Sequence, residues 1–366
     1  MHTRYTLLLT LLIGFANTAF SQKSLDKQIG QMLIIGFRGM EAGADSQIVR
    51  DIRRFHLGGV VLFDYDVKWK KYHRNVQSPE QLRRLTGQLQ AASRSPLFIS
   101  IDQEGGMVNR LKTTYGFPPT LTADSLGKIN NLDTTAARAA VIARALRQAG
   151  INLNFAPDVD LDTCPIPDSS IIHRRRRSFG AEPEHVTAHA RAFIQAHHRE
   201  RVLTALKHFP GHGSAMSDTH AGFVNVTDVW KAAELEPFRR LIESGDCDMV
   251  MTAHIFNQWL DPLHPATLSQ DILTKILRQE YRYDGVIISD DMQMGAIANN
   301  FGLERAMELA VNSGVDILLF GSNLDYDPKI AETAFLTLKK LVQEGRVSKK
   351  RVREASRRIK KLKGRM

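Results

Sequence analysis

A (β/α)8 barrel is the fold this sequence predicts, on three observations. Eight short apolar runs recur along the chain, each bounded by Gly, Pro or polar residues. Most lack clean period-two alternation, the pattern of strands buried on both faces of a parallel sheet. Helical patterns fill the intervals, and strands alternating with helices build a parallel α/β architecture. A doubly wound open sheet is the alternative on pattern alone.

In chain order the apolar runs are 32–36, 59–63, 97–101, 153–156, 203–206, 249–252, 286–288 and 317–320. Amphipathic patterns at 134–148, 184–199, 229–243, 268–280 and 303–312 supply helices between them. Several open on Asp, Ser or Thr caps and close on Gly, the residues that satisfy helix ends.

Ahead of the first strand stands a targeting segment. Arg4 supplies positive charge, residues 7–15 are apolar apart from Thr10 and Gly14, and Ala19-Phe20-Ser21 places small residues where a signal peptidase reads. A leader over 1–21, cleaved before Gln22, is expected, with export to the periplasm or medium as its consequence. The run is shorter than the roughly 20 residues of a membrane span, and an uncleaved anchor is the alternative. No cysteine adjoins the cleavage point, so a lipid anchor is not expected. Residues 22–366 then form one barrel domain ending in a basic helix.

Composition bounds the class. The 366 residues are 43% hydrophobic and 24% charged, which allows a large core and shows no bias toward disorder. Cys164 and Cys247 are too few for a disulfide framework or a cysteine zinc site. The net charge of +10 is concentrated in 347–366, where Lys349, Lys350, Arg351, Arg353, Arg357, Arg358, Lys360, Lys361, Lys363 and Arg365 face only Glu354. Val352, Ala355, Ile359 and Leu362 fall at helical spacing there, which predicts a terminal amphipathic helix docked by one stripe. Its basic face is read as solvated rather than as a nucleic-acid site, because an exported chain rarely meets nucleic acid. Attraction to an anionic surface is a third reading.

Barrel enzymes carry their active sites at the C-terminal ends of the strands. The first polar residues after the runs are Asp102-Gln103-Glu104, Asp158 and Asp160, Lys207-His208, His254, Asp290-Asp291 and Asn323. Any one of them has a structural explanation; so many at equivalent positions point to a site. Zinc could draw on His208, His212, His220, Asp218 and His254, yet no His-x-His follows an early strand and His-Glu-x-x-His is absent. The sequence also lacks a Gly-x-Ser-x-Gly elbow and a P-loop. Carboxylate chemistry on a neutral polyhydroxylated substrate remains. Retaining glycoside hydrolysis needs one carboxylate as nucleophile and a second group to protonate the leaving oxygen. Asp290 at a strand end suits the first role. His220, beside Asp218 on a loop punctuated by Pro210, Gly211 and Gly213, suits the second.

Four segments carry a family resemblance: Lys207-His208-Phe209-Pro210-Gly211-His212-Gly213 with Asp218-Thr219-His220, Asp102-Gln103-Glu104-Gly105-Gly106, Arg177-Ser178-Phe179-Gly180, and Ser289-Asp290-Asp291-Met292. Over about 25–341 the chain resembles the glycoside hydrolase family 3 β-N-acetylhexosaminidases of the NagZ type. The resemblance implies Asp290 as nucleophile and His220 as acid/base paired with Asp218. It also implies that Asp102, Arg110, Arg177, Lys207 and His208 grip the sugar. In this family other members take their acid/base from a second domain, for which this chain has no room.

The implied activity is that of a retaining exo-β-N-acetylglucosaminidase releasing non-reducing terminal GlcNAc from peptidoglycan or chitin fragments, with muropeptides or GlcNAc oligosaccharides as partners. No cofactor, metal, nucleic acid or stable membrane insertion is expected, and a monomer is. A phosphorylase of the same family and a non-catalytic wall-binding barrel are the rivals. Two departures stand out. Met107 replaces the arginine usual in the family, although Arg110 is retained. The segment 64–77 is longer and more basic than expected, and reads as a solvated loop rather than as an aglycone wall. Arg174-Arg175-Arg176, beside the expected sugar site, has the chemistry to meet an acidic muramyl or peptide group.

Overall fold

The structure is a computed structural model that describes residues 24–217 and 222–366. The expected leader 1–21 and the Asp218/His220 pair lie outside the described residues.

Eight strands close into a barrel: β1 (Leu33–Gly36), β2 (Gly59–Leu62), β3 (Phe98–Ile101), β4 (Leu153–Asn154), β5 (Leu203–Phe209), β6 (Met249–Thr252), β7 (Val286–Asp291) and β8 (Ile317–Phe320). Each pairs in parallel with its sequence neighbours, and β1 meets β8 to complete the ring. The first six are buried along their whole length, as is β8, which is why the runs show no alternation. Around the ring stand α1 (Gln47–Phe55), α2 (Pro79–Ala92), α3 (Leu132–Gln148), α4 (Pro183–Arg199), α5 (Glu236–Glu243), the π-helix α6 (Asp271–Glu280), α7 (Leu303–Ser313) and α8 (Ile330–Gln343). The Ser78 side chain caps α2 ahead of Pro79, and Asn131 caps α3, each accepting an end N–H that the helix cannot bond itself.

The terminal helix α9 (Lys349–Lys363) buries Val352, Ala355, Ile359 and Leu362, the expected stripe, together with Lys363. Other boundaries moved. The pattern at 229–243 resolves into a 3-10 turn, Ala232–Leu235, followed by α5. The pattern at 268–280 likewise begins in a 3-10 turn, Ala266–Leu268, with the helix starting at Asp271.

Two strands run further than their apolar runs. β5 continues through Lys207, His208 and Phe209, and β7 through Ser289, Asp290 and Asp291. The apolar runs break after Leu206 and Ile288 because Lys207, His208 and Asp290 serve the barrel mouth, while the backbone goes on pairing. Both extensions contain a register shift, between Leu206 and Phe209 and between Ile288 and Asp291. Such bulges re-aim side chains at barrel rims. Here they fall on Lys207-His208 and on Asp290.

Candidate active site

A cavity of about 480 Å³ opens at the C-terminal ends of the strands. Asp102, Arg110, Arg177, Lys207, His208 and Asp290 all line it, so six of the eight expected site residues meet in one place. The other two, Asp218 and His220, lie outside the described residues.

Its floor is a network of buried charges. Lys207 Nζ reaches Asp102 Oδ1 at 3.0 Å and Glu104 Oε1 at 2.6 Å. The Arg177 guanidinium donates to both oxygens of Glu104, at 2.7 and 3.0 Å. Arg177 Nε also lies 3.1 Å from Asp158 Oδ2, but its hydrogen points at Glu104, so Asp158 feels the charge without gaining that bond. Asp160 Oδ2 contacts His208 Nδ1 at 2.7 Å, and its Oδ1 accepts the His212 amide at 2.8 Å. Arg110 Nη2 stands 3.8 Å from Asp102 Oδ2.

These contacts decide which groups are charged. Burial alone would raise Asp102 and Glu104, yet Lys207 with Arg110, and Arg177 with Lys207, outweigh it and hold both at about 2. His208 likewise holds Asp160 below the usual carboxylate range against its burial. Asp158 goes the other way, pushed well up by burial and by the charge of Asp160. Asp102, Glu104 and Asp160 thus stand as anions against Lys207, Arg177 and Arg110 as cations, and Asp158 is the carboxyl of the group whose charged form the surroundings disfavour. The resulting wall pairs opposite charges and is dense in oriented donors and acceptors, a surface suited to an uncharged polyhydroxylated ligand. Among the described residues, Asp158, Asp160 and His208 form the one cluster compact enough to hold a metal ion. His208 Nδ1 is already engaged by Asp160, and Arg177 occupies the positive position beside them.

Asp290 sits on the extended end of β7, half-buried, with Oδ1 accepting the Asp291 amide at 2.8 Å. Next to it, His254 bonds the Asp291 carbonyl through Nε2 and Thr267 through Nδ1, which accounts for that strand-end histidine as support for the turn after Asp290.

The loop leaving β5 is pinned at its root. Gly213 packs so closely on β4's exit that a Cβ there would lie 1.7 Å from the Leu161 carbonyl oxygen. Glu234 Oε2 accepts the amides of Gly213 at 3.0 Å and Ser214 at 3.4 Å, and Trp230 Nε1 donates to the Pro210 carbonyl. Fully buried, Glu234 is raised to about 7 by its burial, against the pull of Ser214. Nothing in the sequence marked it, because it lies in a helix-leading turn far from any strand end.

The segment 64–77 differs from its expectation as a plain solvated loop. It folds into a hairpin, Tyr65–Asp66 against Lys71–Tyr72, and Asp64, Tyr65 and Val67 line the cavity. Asp66 carries Arg38 and the buried Arg74, and the Arg38 guanidinium lies between the rings of Trp69 and Tyr326. Asn323, after β8, accepts the Val67 amide and donates to the Tyr65 carbonyl. Its tip, 67–73, is exposed, with Lys68 paired to Asp325. Met107 and Arg175 also line the cavity, whereas Arg176 is tied to Asp124.

The profile of the Glycosyl hydrolase family 3 N terminal domain matches residues 24–362. The chain belongs to glycosyl hydrolase family 3. Among family 3 relatives, the beta-hexosaminidase of Tolumonas auensis is 34% identical over 296 residues, covering 80% of this chain and 83% of its own. The beta-hexosaminidase A of Pseudoalteromonas piscicida is 36% identical over 291 residues, covering 73% of this chain, which spans only 46% of that longer protein. Among solved structures, a family 3 beta-N-acetylglucosaminidase from a Paenibacillus species superposes with a TM-score of 0.84 at 32% identity, over 93% of this chain and 62% of that one. The beta-N-acetylhexosaminidase of Beutenbergia cavernae gives 0.81 at 29% identity, over 93% and 98%.

Proposed function

We propose that this family 3 chain is a retaining exo-β-N-acetylglucosaminidase that removes non-reducing terminal GlcNAc from oligosaccharides. One observation carries the reading. A carboxylate at a bulged strand end, Asp290, shares a cavity with charge-paired donors and acceptors, in a chain whose similar relatives are named hexosaminidases. Asp102 and Arg110, with side chains 22% and 29% accessible, face the ligand directly, while Lys207 and Arg177 stand behind them.

In this reading the Asp290 carboxylate attacks the anomeric carbon as the leaving oxygen takes a proton from His220. Water, deprotonated by the same imidazole, then breaks the glycosyl ester. Asp218 orients the ring and favours its charged form. The leader expected over 1–21 supports action outside the cytoplasm, and the cationic lining at Arg175 supports fragments of peptidoglycan, whose peptide and muramyl groups are acidic. Among the described residues no helix is long and apolar enough to cross a membrane.

Product analysis on GlcNAc-terminated oligosaccharides, with and without inorganic phosphate, tests the reading. Free GlcNAc at a rate indifferent to phosphate is expected. A glycosyl phosphate as main product would replace the hydrolase by a phosphorylase, and no turnover at all would leave a sugar-binding barrel.

A further inference from the structure

The face of the barrel opposite the cavity carries a concentrated excess of positive charge. α9 is strapped across it: Lys363 donates to the carbonyl of Gly58 at 2.8 Å, Arg365 meets Asp248 at 2.7 Å, Arg358 meets Asp284 at 3.0 Å, and Arg351 meets Asp316 at 2.8 Å. Gly58, Asp248, Asp284 and Asp316 stand just before β2, β6, β7 and β8, so the helix lies over the N-terminal mouth of the barrel. Asp248 and Asp316 are buried beneath the helix, and Asp284 lies half-exposed at its edge. What faces outward is a different set.

Lys349, Lys350, Arg353, Arg357, Lys360 and Lys361 are all exposed. At about 100° per residue they span roughly 120° of the helix, opposite Val352, Ala355, Ile359 and Leu362. Among the described residues only Arg357 of this stripe has a carboxylate partner, Asp284. Exposed Arg94, Arg201 and Arg282, shortly ahead of β3, β5 and β7, extend the basic surface beyond the helix.

We propose that this face docks electrostatically on an anionic phospholipid bilayer, holding the cavity away from the lipid and toward polymer beyond it. A straight cationic stripe on a broad face matches a plane of headgroup charge, and every Lys or Arg brought within a Debye length adds to the attraction. α9 contains no aromatic residue, so it offers no platform on which nucleic-acid bases could stack. With no large apolar side chain on the stripe, adsorption is by charge alone and reverses with salt.

The experiment is vesicle co-sedimentation of the full protein, comparing phosphatidylcholine vesicles with and without phosphatidylglycerol at low and high salt. The wild type should bind only the anionic vesicles, and release at high salt. Replacing Lys349, Lys350, Arg353, Lys360 and Lys361 together by Gln should weaken binding at least about tenfold while leaving turnover of a soluble aryl GlcNAc glycoside unchanged, which also shows that the variant folds. A control with Arg50, Arg83, Arg84, Arg138 and Lys275 on α1, α2, α3 and α6 replaced by Gln loses equal charge from the barrel side and should bind like the wild type. Equal binding to neutral vesicles, wild-type binding by the α9 variant, an equal loss in the control, or tighter binding to duplex DNA than to vesicles at the same salt would each overturn the proposal. Absence of turnover in every protein would count against the glycosidase reading and leave the docking result intact.

Discussion

Glu234 makes the stability of this barrel depend on pH in a way that one substitution should remove. Its carboxyl is fully buried, accepts two amides at the root of the β5 loop, and is raised from 4.5 to about 7, chiefly by burial. A carboxyl whose folded pKa lies above its unfolded one binds its proton more tightly in the folded protein. The stability this lends is complete below the unfolded value and is lost as pH rises through about 7. At about 1.4 kcal/mol per unit, the rise from 4.5 to about 7 corresponds to roughly 3 kcal/mol. Glu234→Gln keeps an oxygen for Gly213 and Ser214 but cannot ionise. Its melting temperature relative to wild type, taken from pH 4.5 to 8.5, should therefore climb with pH, by roughly 4–5 °C in all for a chain of this size. A constant offset of either sign reports only the changed packing. A difference flat across that range would refute the link between burial and ionisation at Glu234.

Three other expectations concern the site itself. On an aryl GlcNAc glycoside, Asp290→Ala should lose far more kcat than His220→Ala, because an activated leaving group needs little protonation; equal losses would contradict the assigned roles. Arg177→Met strips Glu104 and Asp158 of their shared cation, and removing one partner of a buried pair costs about 3–5 kcal/mol; urea denaturation should show the loss, and a variant as stable as wild type would mean the network is solvated. Gly213→Ala drives a Cβ into the Leu161 carbonyl, so about 1–3 kcal/mol of overpacking or a displaced loop should appear as lower stability or a fall in kcat; neither change would show that the loop root is free to move.

Much of the site was legible because an apolar run breaks off where side chains begin to face the barrel mouth. Asp102, Lys207, His208 and Asp290 each lie within two residues of the end of an apolar run, and equivalent positions in a ring must converge. Arg110 and Arg177 lie well beyond their strands and were reached through the family resemblance alone. Glu234 and the wall made by Tyr65 and Val67 left no mark in the pattern, since their roles come from contacts between segments distant along the chain. Asn323 holds that wall across more than 250 residues of sequence.

Periodicity by itself determined the eight strands, most of the helices and the buried stripe of α9, because each depends on spacing within one short segment. The state of the charges was decided only by tertiary structure. Asp158 and Asp160 are separated by one residue and read alike, yet one is pushed up by burial and its neighbour's charge while the other is held down by His208. The bulges that turn Lys207, His208 and Asp290 into the mouth likewise exist only where neighbouring strands fall out of register. Charge state and side-chain aim depend on what folding brings within a few ångströms, and no local pattern of residues contains that.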